Sequence, residues 1–223
     1  MTAFLKRKPG RPRDEGLQLR RREEILDAAT AQFAKHGYPN TDVESVAEKL
    51  GVGKGTIYRY FPTKSELFLA AVDRGMHRLT ERVNQAVATV ADPIDRIVSA
   101  IDAYLEYFDE HPELVELFIQ ERAEFKDRAE PLYFQHHEAS AEPWREMFRG
   151  LVAAGRVRDL DVMQTSDAIN SMLYGAVIAN AVRGRRGHSA AQARRITDLL
   201  FHGILSPSER LRRPPESKLS KGK

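Results

Sequence analysis

Residues 51–67 read GVGKGTIYRYFPTKSEL, and the three glycines, lysine and threonine of the first six residues suit either nucleotide phosphates or a nucleic acid. A nucleotide phosphate loop requires G-x-x-x-x-G-K-[ST] between a strand and a helix. Here Lys54 precedes Gly55 rather than Thr56, and the preceding DVESVAEKL has the pattern of an amphipathic helix. The dinucleotide pattern G-x-G-x-x-G also fails, because its last position is Thr56. The sequence therefore disfavours a nucleotide site.

The same stretch fits the turn and second helix of a helix-turn-helix, a motif that places its second helix in the major groove of DNA. Lys54, Arg59 and Lys64 give residues 51–64 a charge of +3, and no acidic residue offsets them. Basic side chains at the start of a short helix suit the phosphates and base edges of a duplex. We therefore predict that this segment contacts double-stranded DNA.

Helical spacing divides the side chains of this short helix into two groups. Ile57 and Phe61 are four residues apart, so they share one face and are predicted to lie in the core. Glycine allows the backbone to approach a duplex closely. The other residues predicted to face the DNA from this helix are Gly53, Gly55, Tyr58 and Tyr60.

Helical spacing of apolar residues continues along nearly the whole chain, without the alternation that is typical of strands. Start signals for further helices stand at Thr41, Thr63, Asp92-Pro93, His111-Pro112, Pro131, Thr165 and Ser189. Pro143 lies inside a helical run, where proline removes a hydrogen bond, and it predicts a kink or a break. We therefore predict an all-α protein of about nine helices, with three short helices before a larger bundle.

Composition excludes several classes of protein. The 223 residues, 42% of them apolar, suffice for one or two domains with proper cores. The chain has no cysteine, which excludes disulfides and thiolate metal sites and favours a reducing compartment. No apolar run reaches the roughly 18–20 residues that span a membrane. We expect a cytoplasmic protein, associated with the nucleoid when bound to DNA.

Charge is distributed unevenly along the chain. Residues 1–22 carry eight basic and two acidic side chains, residues 205–223 carry six and two, and the central body has a net charge of −7. Basic ends on an acidic body indicate that one end meets a polyanion. The Pro-, Ser- and Lys-rich segment 207–223 is predicted to be a disordered tail.

Residues 20–67 resemble the DNA-binding domain of the TetR family of transcriptional regulators. The resemblance rests on ILDAATAQFAKHGY, TDVESVAEKLGV, GKGTIYRYF and PTKSEL, in that order along the chain. It implies a DNA-binding domain over 20–66, after a disordered basic arm over 1–19. It also implies an effector-binding and dimerisation domain over 67–206.

The resemblance implies roles for individual residues. Thr41 would cap the second helix and meet a phosphate; Lys54, Gly55 and Thr56 would approach base edges; Tyr58, Tyr60 and Lys64 would hold phosphates. Arg59 stands at a variable position, and an arginine there could pair with guanine. Two residues depart from the family pattern. Gly53 replaces a common serine and removes one cap, and Asp42 replaces a common threonine or serine with a carboxylate that phosphate would repel.

The segment GRPR at residues 10–13 resembles the short Arg-Pro hooks that lie in narrow minor grooves. The negative potential of such grooves attracts arginine, so Arg11 and Arg13 are predicted DNA contacts. A basic, disordered tail is the alternative interpretation.

The resemblance also implies that the last two long helices form a homodimer interface, and small residues on them allow close helix approach. The predicted interface residues are Gly175, Ala176, Ala179, Ile196, Leu199 and Leu200. The alternative is that these residues fill the core of a single chain.

Aromatic residues are frequent in the middle helices, where they could line a cavity for a small apolar or aromatic effector or could fill a core. The predicted cavity residues are Tyr104, Phe108, Phe118, Tyr133, Phe134, His137, Trp144, Phe148 and Met172.

No cofactor, metal or catalytic motif is recognisable. His111, His136 and His137 lack metal-ligand spacing, and the glutamates 113, 116, 121 and 124 are interpreted as a solvated acidic face. No G-x-S-x-G pattern occurs. We therefore expect a DNA-binding regulator rather than an enzyme. The regulator would be a ligand-released repressor, with a transcriptional activator or a non-specific architectural DNA-binding protein as alternatives.

Overall fold

The computed structural model describes residues 15–213. Ten α-helices cover most of them, and the only β interaction in this range is an isolated bridge between Val157 and Leu205. In chain order the helices are α1 (Glu15–His36), α2 (Val43–Lys49), α3 (Lys54–Tyr60), α4 (Lys64–Val87), α5 (Pro93–Glu110), α6 (Pro112–Glu124), α7 (Leu132–Ala153), α8 (Val162–Val182), α9 (Ser189–Ile204) and α10 (Pro207–Arg212). The predicted all-α fold is confirmed. None of these ten helices combines the length and apolarity needed to cross a bilayer.

The chain divides into two compact units, the first ending at Phe68 and the second beginning at Leu69. In the first unit, α2 contacts both α1 and α3. Phe33 and Phe68 are fully buried, and their rings meet edge to face with centroids 5.1 Å apart. Ile57 and Phe61 are buried as well, at 0% and 4% exposure, so their predicted place in the core is confirmed.

In the second unit, α5 packs against α6, α8 and α9. Five buried residues of α5 recur at the three- and four-residue spacing of one helix face, namely Ile94, Ile97, Ile101, Leu105 and Phe108. Ala103 and Tyr107 are buried on the opposite side, so α5 packs against neighbours on more than one side.

The predicted helix starts at Thr63, Asp92-Pro93, His111-Pro112, Pro131 and Ser189 are confirmed, whereas the caps predicted at Thr41 and Thr165 were wrong. Asp42, not Thr41, is the N-cap of α2, because its carboxylate accepts a hydrogen bond from the amide of Glu44 at 2.9 Å. Asp161 caps α8, four residues before the predicted cap at Thr165. Asp92 caps α5 as predicted. In each case a short acidic side chain reaches the free amides of the first turn.

Three further predictions differ from the structure. Of the kink or break predicted at Pro143, the break does not occur, because α7 runs through Pro143 from Leu132 to Ala153. α1 begins at Glu15, inside the segment predicted to be a disordered arm; the glutamate, leucines and glutamine of residues 15–19 favour helix. α10 occupies part of the predicted disordered tail. The remainder of the arm, with Arg11 and Arg13, and of the tail lies outside the described residues.

Ion pairs fasten α10 to the N-terminal end of α5. Glu209 is 2% exposed and accepts hydrogen bonds from Arg156 at 3.2 Å and Arg213 at 3.1 Å. Both arginines also reach Asp92, at 2.9 and 3.1 Å. Because hydrogen bonds from charged donors are the stronger ones, this network explains why residues 207–213 are ordered.

Candidate DNA interface and effector cavity

Helix α3 turns one residue inward and the rest outward. Ile57 is its single buried residue, while Gly55, Tyr58 and Arg59 are exposed. Lys54, Thr56 and Tyr60 are partly exposed. The helix carries no acidic residue, so its outer face combines two cations with hydroxyl and aromatic groups. The arrangement fits contact with a polyanion, and the individual DNA contacts remain predictions.

The glycines around the start of α3 are not required by the chain's own packing. Gly53 is the N-cap with φ −73° and ψ 146°, a conformation open to any residue, and α3 has no side-chain cap. A Cβ atom added at Gly53 or Gly55 would meet nothing within 4 Å. Their small size therefore leaves room for an approaching molecule.

Lys54 is engaged by acidic residues of α2 and its cap. Its Nζ atom donates a hydrogen bond to Oδ1 of Asp42 at 2.9 Å and lies 3.8 Å from Oε2 of Glu44. The hydrogen bond from the amide of Glu44, followed by that from Lys54, lowers the pKa of Asp42 below its ordinary value of 3.8. The carboxylate of Asp42 in turn raises the pKa of Lys54. Both groups therefore stay charged and paired at neutral pH.

Thr41 and Lys64 hold the turn between α1 and α2. The Thr41 hydroxyl, 3% exposed, donates to the carbonyl of Gly37 at 2.7 Å. Nζ of Lys64 donates to the carbonyls of Tyr38, Thr41 and Pro39 at 2.8, 3.0 and 3.3 Å. These engagements within the chain differ from the phosphate contacts predicted for the two residues.

A cavity of about 370 Å³ lies in the second unit, among residues of α4, α5, α7 and α8. It is lined by five of the residues predicted for an effector pocket, namely Tyr104, Tyr133, His137, Trp144 and Phe148. Apolar side chains such as Leu79, Ile97 and Leu173 supply most of the remaining wall. Its size falls in the range of about 300–1,000 Å³ that is typical of small-molecule sites.

The other predicted pocket residues lie elsewhere. Phe108 is buried in the core, where its ring meets Tyr104 edge to face. Phe118 and Phe134 line a second cavity of about 340 Å³, and Met172 lines neither cavity. Aromatic residues that share a helix need not share a cavity, since the helix presents them in different directions.

A chain of hydrogen bonds crosses the wall of the first cavity. Tyr133 donates its phenolic proton to Oδ1 of Asn170 at 2.7 Å, and Tyr104 therefore donates to the Tyr133 oxygen, also at 2.7 Å. Burial raises the pKa of both tyrosines well above the ordinary value of 10.0. The wall therefore offers neutral hydroxyl groups and no phenolate.

His137 presents a polar atom that the described residues leave without a hydrogen bond. Its Nε2 atom is buried at the cavity wall and has no partner in residues 15–213. Burial lowers the pKa of this imidazole, so it is neutral at pH 7. An unpaired buried polar atom costs free energy, and a ligand that bonds to it gains correspondingly.

The second cavity has a charged rim. Arg122, Lys126 and Arg128 line it together with Glu121. Glu121 is 2% exposed, which corrects the prediction that it belongs to a solvated acidic face; Glu116 and Glu124 are exposed as predicted. Burial raises the pKa of Glu121, although the amide of Leu132 donates to its Oε1 atom at 2.9 Å.

The residues predicted for a dimer interface have mixed exposure. Leu199 is 61% exposed, and Gly175 is exposed on α8. Ala176 and Ala179 are half-buried. Ile196 and Leu200 are 7% and 6% exposed, on the helix that packs against α5, so they belong to the core of the chain. Ile196 and Leu200 therefore fit the alternative interpretation, in which the residues fill the core of a single chain, because they lie on the inward face of α9.

Two family models match the chain. "Bacterial regulatory proteins, tetR family" matches residues 25–71, and "Tetracyclin repressor-like, C-terminal domain" matches residues 90–204, which is more than half of the chain. The chain belongs to the TetR family. The resemblance that the helix-turn-helix motifs indicated is thereby confirmed.

The relatives of this TetR-family chain include both activators and repressors of transcription. The transcriptional activator FasR of Mycolicibacterium smegmatis is 34% identical over 44% of this chain and 42% of its own length. The transcriptional repressor SCO4008 of Streptomyces coelicolor is 34% identical over 45% of this chain and 49% of its own. The chain thus spans less than half the length of these curated relatives. Both are regulators rather than enzymes, in agreement with the prediction.

A solved TetR-like structure shares the fold. FadR from Bacillus subtilis, crystallised in complex with stearoyl-CoA, superposes with a TM-score of 0.67 at 20% identity and covers 82% of this chain and 98% of its own. At that identity the likeness concerns the fold alone.

Proposed function

We propose that this TetR-family chain is a homodimeric repressor that binds a palindromic operator and is released by a small effector. The observation that carries the proposal is α3, which buries Ile57 alone, contains no acidic residue of its own and carries Lys54 and Arg59 among its exposed or partly exposed residues. That helix would lie in the major groove, where an exposed arginine distinguishes guanine by two hydrogen bonds.

The test of sequence-specific binding compares DNA from the chain's own promoter region with random DNA at physiological salt. A regulator should prefer its operator by on the order of 10³-fold or more. Equal affinity for both would instead favour a non-specific architectural protein. The basic arm with Arg11 and Arg13 would add a minor-groove contact to either mode of binding.

Dimerisation through α8 and α9 is proposed from their exposed apolar residues. Val182 and Leu199 are 75% and 61% exposed, and the exposed Gly175 would let a second helix approach closely. Two copies of α3 would then read half-sites one helical turn apart. Leu199→Glu should shift the sedimenting species from dimer to monomer, whereas the exposed Leu17→Glu should not.

The effector is proposed to be a small apolar or aromatic compound that occupies the 370 Å³ cavity. One hydrogen-bonding group on it would satisfy Nε2 of His137. It would release DNA only if it binds the released form more tightly than the DNA-bound form. A thermal-shift screen of the purified chain identifies such compounds, and operator-binding anisotropy then measures release.

A transcriptional activator is the alternative to a repressor, and the relative FasR is a transcriptional activator by name. A promoter-reporter assay with the gene deleted separates the two. Loss of the protein should raise transcription if it is a repressor and lower it if it is an activator. We place the protein in the cytoplasm, where its DNA partner lies.

A further inference from the structure

A group of potential metal ligands occurs on α4 and α7, outside the DNA-facing residues. Asp73 and His77 stand one turn apart on α4, and His136 reaches them from α7. Nε2 of His136 lies 2.8 Å from Oδ1 of Asp73, and Nε2 of His77 lies 3.6 Å from Oδ2 of the same carboxylate. The ligand atoms of all three residues lie within 4.8 Å of one another.

The two imidazole rings converge on opposite oxygens of one carboxylate. Their ring centroids are 4.7 Å apart with an interplanar angle of 89°. Each ring has its Nε2 atom within 3.6 Å of an oxygen of Asp73, so the potential ligand atoms are close together. Zinc bonds of about 2.0–2.2 Å would separate tetrahedral ligand atoms by about 3.3–3.6 Å. Small side-chain rotations therefore suffice to bring the three atoms to bonding distance of one ion.

One of the three potential ligand side chains is nearly buried, and the other two are accessible to solvent. The side chain of His136 is 14% exposed, whereas those of Asp73 and His77 are 43% and 66% exposed. An ion can thus enter from the side of His77 without unfolding the chain. Three protein ligands leave at least one position for water, the arrangement of open zinc sites.

We propose that Asp73, His77 and His136 bind a divalent transition-metal ion of the zinc type and thereby link α4 to α7. Two imidazoles and one carboxylate favour zinc, cobalt or nickel over magnesium and calcium, which prefer oxygen ligands. Because His136 also lines the 370 Å³ cavity, the ion would fix one wall of that cavity. The site does not depend on the proposed function, since its formation requires neither DNA nor effector.

A second aspartate–histidine pair on the chain provides a matched comparison. Asp198 and His202 have the same four-residue spacing on α9, with His202 Nδ1 3.2 Å from Asp198 Oδ1. Among residues 15–213, the grouping of three metal-ligating side chains includes Asp73 and His77 but neither member of this second pair. If such pairs bind ions merely because they are exposed, the two should behave alike.

The experiment titrates the full chain, untagged and treated with chelator, with ZnCl₂ by calorimetry and with Co²⁺ by visible absorption. We expect one ion per chain, a rise in melting temperature with Zn²⁺, and cobalt d–d bands from bound imidazole. His77→Ala and His136→Ala should each weaken zinc binding by at least about tenfold, and His202→Ala should leave it unchanged.

Several results would overturn the proposal. They are the absence of binding by the wild-type chain, equal binding by wild type and His77→Ala, and equal loss in His77→Ala and His202→Ala. His77 is exposed, so its alanine variant is expected to fold, which circular dichroism without metal would verify. No arm uses DNA, so failure here leaves the regulator proposal standing, and failure of operator binding leaves the metal site standing.

Discussion

Nζ of Lys54, the first residue of α3, lies 2.9 Å from Oδ1 of Asp42, the cap of α2. A cation that we propose to contact DNA is thus already paired with a carboxylate. A phosphate that approaches Lys54 must compete with Asp42 and is also repelled by it. The two departures from the family pattern, Asp42 and Gly53, are the N-caps of α2 and α3, and both bear on phosphate contact.

Asp42→Asn should strengthen operator binding. Asparagine keeps the oxygen that caps α2 but loses the charge, so Lys54 becomes free for a phosphate. We expect an affinity gain on the order of tenfold, and one more released counterion would steepen the dependence of log K on log[salt] by about 0.9. Fluorescence anisotropy across a salt series measures both. Asp198→Asn makes the same change in net charge outside the first unit and should alter neither quantity.

Arg59→Lys should relax base preference without abolishing binding. Lysine keeps the positive charge but lacks the planar fork that bonds guanine at two points. Discrimination at one base pair of each half-site should fall by roughly 5- to 150-fold. Binding to operators substituted one position at a time measures this. Arg20→Lys, at an exposed position of α1, is the control; undiminished discrimination in Arg59→Lys would reject base readout by Arg59.

Lys64→Met should lower stability, because the ammonium holds three carbonyl oxygens at the α1–α2 turn. We expect a loss of about 1–3 kcal/mol in the free energy of unfolding. Thermal and urea unfolding without DNA test this directly. Lys49→Met, at an exposed position of α2, should be nearly neutral. A stable Lys64→Met variant that merely binds DNA less well would instead restore the phosphate role that the family resemblance implies.

Ala100→Phe should fill part of the effector cavity that residue 100 lines. We expect operator binding to persist while release by the effector is lost, since the ligand's volume is occupied. Anisotropy with labelled operator, with and without the effector found by screening, gives the result. Ala88→Phe lies at an exposed position outside that cavity and should release normally. Normal release by Ala100→Phe would place the effector elsewhere.

Glu209→Gln should make the free energy of unfolding depend less on pH in the acidic range. Burial opposes ionisation of Glu209, but hydrogen bonds from Arg156 and Arg213 outweigh it and hold the pKa below the ordinary 4.5. A lowered carboxyl pKa contributes stability above pH 4.5, and that contribution is lost as the pH falls through the lower value.

At pH 7 the Glu209→Gln variant should be less stable by about 1–3 kcal/mol, and the difference should shrink below pH 4.5. Urea unfolding from pH 3 to pH 7 measures it. Glu142→Gln, from the exposed pair that Glu142 forms with Arg149, is the matched control. A constant difference at all pH values would exclude the ionic contribution.

Local signals in the sequence predicted much of the fold. The four-residue spacing of Ile57 and Phe61 correctly placed both in the core, and the Asp92-Pro93 pair correctly marked the start of α5. These signals depend on neighbours within one helical turn, so a single sequence contains them in full.

Other features depend on contacts between distant segments. Lys64 bonds to carbonyls about 25 positions earlier, and the sequence alone does not reveal which acceptors a lysine will find. His136 meets Asp73 across 63 positions, so no ligand spacing could reveal the pair. At the start of α2, two adjacent residues, Thr41 and Asp42, could each cap the helix. The Thr41 hydroxyl instead donates to the carbonyl of Gly37, and Asp42 is the cap.

His136 and His137 are consecutive in the chain yet face different chemistry, because successive helical residues project about 100° apart. One imidazole contacts Asp73, while the other holds an unbonded nitrogen at the cavity. A sample labelled with ¹⁵N in histidine alone would therefore carry two neighbouring reporters on a single turn of α7. The resonances of His136 would respond to a metal ion and those of His137 to an organic ligand. One spectrum could therefore distinguish metal binding from effector binding.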